Sequence, residues 1–284
     1  MPGLILMTRT MQKRGSCDTT QPFLKWLGGK RALVSKHIKP IYDDAKPIGK
    51  VIEPFCGSLA VSLGLQPEHA LLCDTNPYLI NLYNVLAQGN TLTQAYDNTA
   101  DDYYEARDRF NDLIAKDKWH KTKCGRIEMA SLFYYINRHC FNGLIRFNSR
   151  GQFNAAYGKY KQTWYEPLNA YCQQFTGWTF VNDDFECLTD RISESDFIYA
   201  DPPYDTTFSS YTKNVFTWDD QVRLAEWLAA APCTVVASNA GTTRIKALYQ
   251  SLGFEVKTIK VARSISCDGN REAAAEMLAV KEGA

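Results

Sequence analysis

The chain has 284 residues, 45% of them hydrophobic and 22% charged, which suits one large domain or a catalytic domain with an insert and excludes disordered and collagen-like chains. No apolar run reaches the roughly 18 to 20 residues of a membrane helix, and Met1–Thr20 lacks the apolar stretch and cleavage site of a signal peptide, so a soluble cytoplasmic protein with no membrane partner is expected. Lys plus Arg number 32 against 31 Asp plus Glu, a net charge of +1 that argues against a polybasic protein.

Met1–Thr20 is polar, carries Arg9, Lys13 and Arg14, and has no sustained periodicity, which marks a flexible arm. A glycine turn at Gly28-Gly29 enters a helix predicted over Lys30–Ile38. Val51-Ile52 reads as a strand, Glu53–Ser58 as a tight turn, Leu59–Leu65 as a helix and Leu71–Cys73 as a second strand ending in Asp74. With a helix over Asn76–Gln88, this is the strand, turn, helix, strand, acid order of an α/β nucleotide-binding unit. Apolar spacing is helical from Thr91 to Asn137, and Phe147–Ala155 alternates around Ser149-Arg150-Gly151, a hairpin signal. Asp196–Ala200 is again a strand, Thr217–Ala231 a helix opened by a Thr217/Asp220 capping box, and Cys233–Ala237, Phe254–Val261 and Met277–Val280 are further strands. The expected organisation is an arm over 1–20, a catalytic domain over 21–76 and 166–284, and an insert over 77–165.

Charge is patterned locally. Between Arg138 and Tyr165 stand Arg138, Arg146, Arg150, Lys159 and Lys161 and no acid, interleaved with Phe141, Phe147, Phe153, Tyr157, Tyr160, Trp164 and Tyr165. The nine cysteines include no C-x-x-C pair and the four histidines have no ligand spacing, so free thiols in a reducing compartment and no metal are expected.

Asp201-Pro202-Pro203-Tyr204 ends an apolar strand, the edge at which open α/β sheets bind ligands. A carboxylate, a rigid carbonyl and an aromatic ring displayed together suit transfer to an exocyclic amine. Asp201 and the Pro202 carbonyl would accept the two hydrogens of an adenine amino group and stabilise the charge that develops on attack, while Tyr204 stacks on the base. A proline-rich turn with an N-cap aspartate is the bland alternative. Phe55-Cys56-Gly57-Ser58 would set a glycine turn beneath an adenosyl group, with Asp74 against ribose hydroxyls. Leu59 occupies the second-glycine position of G-x-G-x-x-G, which disfavours a dinucleotide. Phe23–Lys30 fails as a phosphate loop, because Leu24 and Arg31 replace its first glycine and its hydroxyl residue; its bland reading is a glycine turn with Trp26 in the core.

Taken in order, Phe23–Lys30, Glu53–Ser58, Asp74, Asn137–Asn148, Asp201–Tyr204 and Arg263-Ser264-Ile265-Ser266 resemble the GATC-recognising adenine-N6 DNA methyltransferases of the Dam type. The resemblance runs from about Gln21 to the C-terminus. It implies an α/β fold, a Rossmann-like methyltransferase sheet with an inserted helical and β-hairpin target-recognition domain. It also implies S-adenosyl-L-methionine as methyl donor, S-adenosyl-L-homocysteine as product, double-stranded DNA as partner, a monomer, and a nucleoid-associated place in a bacterial or phage-infected cell. The family's cofactor residues fall on Trp26, Lys30, Asp74, Asp184, Phe185 and Asp201. Its outer-guanine residue falls on Lys25, its guanine-reading hairpin residue on Arg146, and its duplex wedge on Phe141 with Asn142 beside it. Leu144 and Ala156 meet the thymine methyl, Asn148 closes the recognition motif, and Arg138, Arg150, Lys159 and Lys161 are left for phosphates. An arginine fits guanine O6 and N7, and an apolar wedge helps unstack bases.

Two positions depart from the family pattern: Phe141 stands where tyrosine is frequent, and Ala156 where proline is frequent, which would relax preference at the thymine. A catalytically idle DNA-binding regulator and an RNA or protein-glutamine methyltransferase remain as rivals at this point. The tetrapeptide speaks against the first and the basic insert against the second.

Overall fold

The computed structural model describes residues 20–93, 95–163, 165–205, 216–261 and 274–283. The arm expected over 1–20 falls, except for Thr20, outside the described residues, as do Arg263–Ser266. Seven strands form one sheet among the described residues: β1 Val51–Glu53, β2 Ala70–Cys73, β3 Trp178–Val181, β4 Phe197–Ala200, β5 Thr234–Ala240, β6 Glu255–Val261 and β7 Ala274–Lys281. Their order is β3-β2-β1-β4-β5-β7-β6. The first five are parallel, and β7 runs antiparallel between β5 and β6. Every residue of β1, β2 and β4 is buried, as a parallel sheet covered on both faces requires. Strand order reverses between β1 and β4, so the chain leaves both strands into one crevice, at Pro54-Phe55 and at Asp201.

The helix expected to end at Ile38 runs further. Arg31–Leu33 (α1) passes through a π-helical turn at Val34–Ile38 into Lys39–Ala45 (α2), which ends where Lys46 turns left-handed. Short helix α3, Ala60–Leu65, follows Leu59, itself at φ 63°, and α4, Pro77–Ala87, is capped by the Asn76 side chain accepting from Tyr78 and Leu79 N–H. The predicted helical stretch contains α5, Ala100–Lys116, and α6, Lys123–His139, capped by Thr99 and Thr122. Helix α7 is Leu168–Gln174, and α8, Trp218–Ala230, carries the expected capping box in both directions. Helix α9 is Thr243–Ser251. One core joins the sheet to α4, α5, α6 and α7 through Leu72, Tyr83, Phe110, Phe133, Tyr171 and Phe180, so the insert packs into the same apolar interior as the strands.

The hairpin forms in reduced shape. Phe147 bridges Phe153 and Cys140 bridges Tyr157, but no ladder develops. Its backbone groups are taken by side chains instead: Asn111 of α5 accepts from Phe153 N–H at 2.8 Å and donates to its carbonyl at 3.1 Å. Asn148 Oδ1 accepts from the Arg150 and Gln152 N–H groups at 2.9 and 3.0 Å, closing the turn.

Candidate active site

Asp201 leaves β4 with a side chain 21% exposed, and the turn before α1 and strand β5 supply its partners. Lys30 Nζ lies 3.1 Å from Oδ2 and donates to the Gly28 carbonyl at 2.9 Å. From β5, Ser238 donates to Oδ1 at 2.8 Å. That hydroxyl has one hydrogen, so Tyr199, 2.8 Å away, donates to Ser238. Burial raises the Asp201 carboxyl above the usual range while Lys30 and Ser238 pull it back. Glu53, at the end of β1, accepts from Ser62 N–H at 2.8 Å and from the Ser62 hydroxyl, and burial pushes it up to about 8. Burial thus favours its protonated form, which limits the charge it adds beside Asp201.

Pro203, Tyr204 and Asp205 are pinned independently. Gln221 donates to the Pro203 carbonyl at 2.8 Å and is itself held by Asn239 at 2.8 Å. Asp205 pairs with Arg244. Tyr204 donates its hydroxyl to Glu276 Oε2 at 2.9 Å, and the Lys30 ammonium lies 4.6 Å from its ring centroid. Ser238, Gln221, Glu276 and Asn239 carry no motif; their signal is a polar residue in an otherwise apolar strand or helix stripe.

The turn after β1 is built against Asp74. Gly57 N–H donates to Oδ2 at 3.1 Å and Asn76 N–H to Oδ1 at 2.9 Å, while burial raises this carboxyl and the two bonds lower it. Tyr83 donates to the Gly57 carbonyl at 2.5 Å. At φ 43°, Gly57 passes so close to Trp26 that a Cβ would lie 2.9 Å from the indole nitrogen, so Trp26 is half-buried against the turn rather than inside the core. Phe55 stacks at a tilt on Phe185, 5.8 Å between centroids. Asp184 caps the 3-10 turn Phe185–Arg191 and holds Arg223 with both oxygens, at 2.8 and 3.0 Å, which keeps its carboxyl below the usual range. The guanidinium of Arg223 lies over Phe185, 4.4 Å from the centroid.

The basic, aromatic segment meets this site through Lys25. Its N–H donates to Asn137 Oδ1 at 2.9 Å and its carbonyl accepts from the same side chain at 2.7 Å. Its ammonium donates to the Arg138 carbonyl at 2.7 Å and lies 3.5 Å from the Tyr160 centroid; burial, then Arg138, lower it to about 8. Arg138 donates to the Phe23 carbonyl at 3.1 Å. Asn142 and Gly143, both at positive φ, form a type I′ turn closed by Leu144 N–H on the Phe141 carbonyl at 3.1 Å. Gly143 touches Lys25: a Cβ there would stand 2.3 Å from the lysine Cβ and 2.9 Å from its carbonyl. The turn leaves Phe141 56% exposed, with its N–H on the Ala156 carbonyl at 2.8 Å. Arg146 reaches across to Asn154, at 2.8 Å to the side chain. Arg150, Ala156, Lys159 and Lys161 are exposed and Leu144 half-buried. Thus Arg138, Phe141, Asn142, Leu144, Arg146 and Ala156 share one segment, and Lys25 is bonded to its start through Asn137 and Arg138. Asn148 is used by its own turn, and the Asp184 carboxylate is turned to Arg223.

Among the described residues, no group of three or more His, Cys, Asp or Glu could hold a metal ion, and no helix is long and apolar enough to cross a membrane. The family model described as D12 class N6 adenine-specific DNA methyltransferase matches residues 26–265. The retron Ec67 DNA adenine methylase of Escherichia coli is 34% identical over 272 residues, covering 90% of each chain. The DNA adenine methylase of Escherichia coli K12 is 32% identical over 281 residues, covering 91% of this chain and 94% of the other. The DNA N-6-adenine-methyltransferase of Escherichia phage P1 is 31% identical over 282 residues, of which this chain spans only 35% of the length.

Proposed function

Because the chain belongs to the D12 class N6 adenine-specific DNA methyltransferases, we propose that it flips adenine out of duplex GATC and methylates its amino nitrogen with S-adenosyl-L-methionine as donor. The observation that carries this is the Asp201 carboxylate, held by Lys30 at 3.1 Å and Ser238 at 2.8 Å where the strand order reverses. An adenine amine is a poor nucleophile because its lone pair is delocalised into the ring. Asp201 and the Pro202 carbonyl accept its hydrogens, favour the pyramidal nitrogen and stabilise the positive charge that grows there. Lys30 and Ser238 offset part of what burial costs the carboxylate and keep it aimed, and Tyr204 offers its ring to the base.

The residues present fit the donor. Gly57 leaves its turn bare against Trp26, where a Cβ would collide. Asp74 spends one lone pair on each oxygen on backbone N–H groups and retains others for a pair of ribose hydroxyls. Trp26, Lys30, Phe55, Asp74, Asp184 and Phe185 would hold it; when bound, its sulfonium supplies an already activated methyl group. Lys25, Arg146, Leu144 and Ala156 read the site, Phe141 fills the gap left by the flipped base, and Arg138, Arg150, Lys159 and Lys161 meet phosphates. Transfer of tritium from labelled donor to a GATC duplex, to duplexes with single substitutions, to RNA and to protein tests the reading. Label on GATC adenine is expected. Equal transfer to all duplexes overturns the specificity, and transfer to RNA or protein alone overturns the substrate.

A further inference from the structure

We propose that Glu276 is a positioning residue for methyl transfer: from the antiparallel strand β7 its carboxylate holds the Tyr204 hydroxyl and so sets the angle at which the ring meets the flipped adenine. The inference rests on the adenine-methylating reading above. Glu276 sits opposite Ala240 of β5 and Ile259 of β6, and it precedes Met277, Leu278 and Ala279, all fully buried. Its side chain is 12% exposed. A carboxylate in that setting is costly unless it is paired, and among the described residues its partners belong to the site: Tyr204 at 2.9 Å and Lys30 at 4.0 Å.

Holding the loop in place does not require it. The backbone of the tetrapeptide is fastened at Pro203 by Gln221, and the next residue, Asp205, by Arg244. Glu276 meets the loop at the far end of the ring, through the Tyr204 hydroxyl. With the neighbouring carboxylates raising its pKa after burial does so, the Tyr204 hydroxyl remains a donor across the working range. Asp201 and Glu276 also share one ammonium, Lys30, which itself lies beside the ring, so ring, lysine and both carboxylates form one connected unit drawn from three distant parts of the chain.

The test is a cycle of Glu276→Ala, Tyr204→Phe and the double variant in single-turnover methylation of a duplex, with Glu276→Gln as conservative variant. Each of the first two is expected to slow the chemical step about tenfold, the order lost with one hydrogen bond to a charged group. The double variant should be no slower than either single, and Glu276→Gln, which keeps an acceptor for the hydroxyl, should recover most of the rate. Affinity for S-adenosyl-L-homocysteine should be unchanged. Fluorescence of 2-aminopurine at the target should rise in Glu276→Ala above the parent, because a loosened ring quenches it less. Losses that multiply in the double variant, no recovery with glutamine, or a loss confined to cofactor affinity would each overturn the role. If Glu276→Ala does not fold, Glu276→Asp, which keeps the charge but withdraws it from the hydroxyl, takes its place in the cycle. A parent protein that methylates no duplex adenine overturns the underlying reading; an active parent with independent losses overturns Glu276 alone.

Discussion

The edge of the sheet around Asp201 and the segment from Arg138 to Tyr165 use charged and aromatic side chains in opposite ways. At the edge, each carboxylate meets its partners within the chain: Asp201 with Lys30 and Ser238, Asp74 with Gly57 and Asn76, Glu276 with Tyr204. In the segment, Phe141, Arg146, Arg150, Lys159 and Lys161 stand exposed while Phe147, Phe153, Tyr157, Tyr160 and Tyr165 sink inward, Phe153 to 1% exposure. The edge is organised before any ligand arrives, as charge stabilisation in a transition state demands. The segment is a rigid aromatic base carrying solvated tips, which suits phosphates and base edges that arrive with their own water.

Breaking that base costs the most. Phe153→Ala should lower stability by about 3 to 5 kcal/mol, whereas Phe141→Ala, with its exposed ring, should leave the thermal midpoint nearly unchanged and instead reduce the fluorescence rise of 2-aminopurine at the target adenine. A mismatched target, already partly unstacked, should rescue Phe141→Ala more than it helps the parent. A large fall in midpoint for Phe141→Ala without mismatch rescue would erase the division between base and tip. At the edge, Asp201→Ala should slow single-turnover transfer by about two to three decades, some 2.7 to 4 kcal/mol, with duplex affinity largely kept. Near-normal turnover would remove Asp201 from the chemistry.

At the tips, Arg146→Ala should lower discrimination at a GATC guanine by about 1 to 3 kcal/mol, while Lys159→Ala weakens all duplexes alike and reduces the salt slope by about 1. Binding titrations on GATC and singly substituted duplexes at several salt concentrations show whether the two roles are reversed. The smallest effect concerns Lys25, where the regions meet. Since burial lowers its ammonium to about 8, the charge that would meet DNA is present below that pH and lost above it. Duplex affinity should therefore fall a few-fold as pH rises through about 8, and Lys25→Arg should flatten the profile; an unchanged profile in that variant would put the titrating group elsewhere.

What was legible in the chain follows the same divide. Strands β1, β2, β4 and β5 are short apolar runs bounded by turns, and α4 and α8 announce themselves by Asn76 and the Thr217/Asp220 box, so local chemistry alone reveals them. Strand β3 is not legible because Trp178-Thr179-Phe180-Val181 lies at the sheet margin with one face open, so it alternates where the inner strands are continuous apolar runs. The hairpin was legible as a turn but not as a ladder, since Asn111 lies some forty positions away and claims the Phe153 backbone. Asp201 and Asp74 stand in recognisable motifs. Glu276 and Ser238 do not, because what makes them part of the site is strand order, and no local pattern encodes which strands become neighbours.

Gly143 carries a consequence for how such a protein diversifies. Its backbone lies against Lys25 with no room for a Cβ, in a turn that demands left-handed geometry. Random change at this position is therefore closed off by collision, while Phe141 two residues earlier can accept many side chains without touching the interior. New sequence preferences in descendants of this scaffold are expected to arise by replacing the protruding ring or the outward-facing Ala156, with the glycine beneath them inherited unaltered.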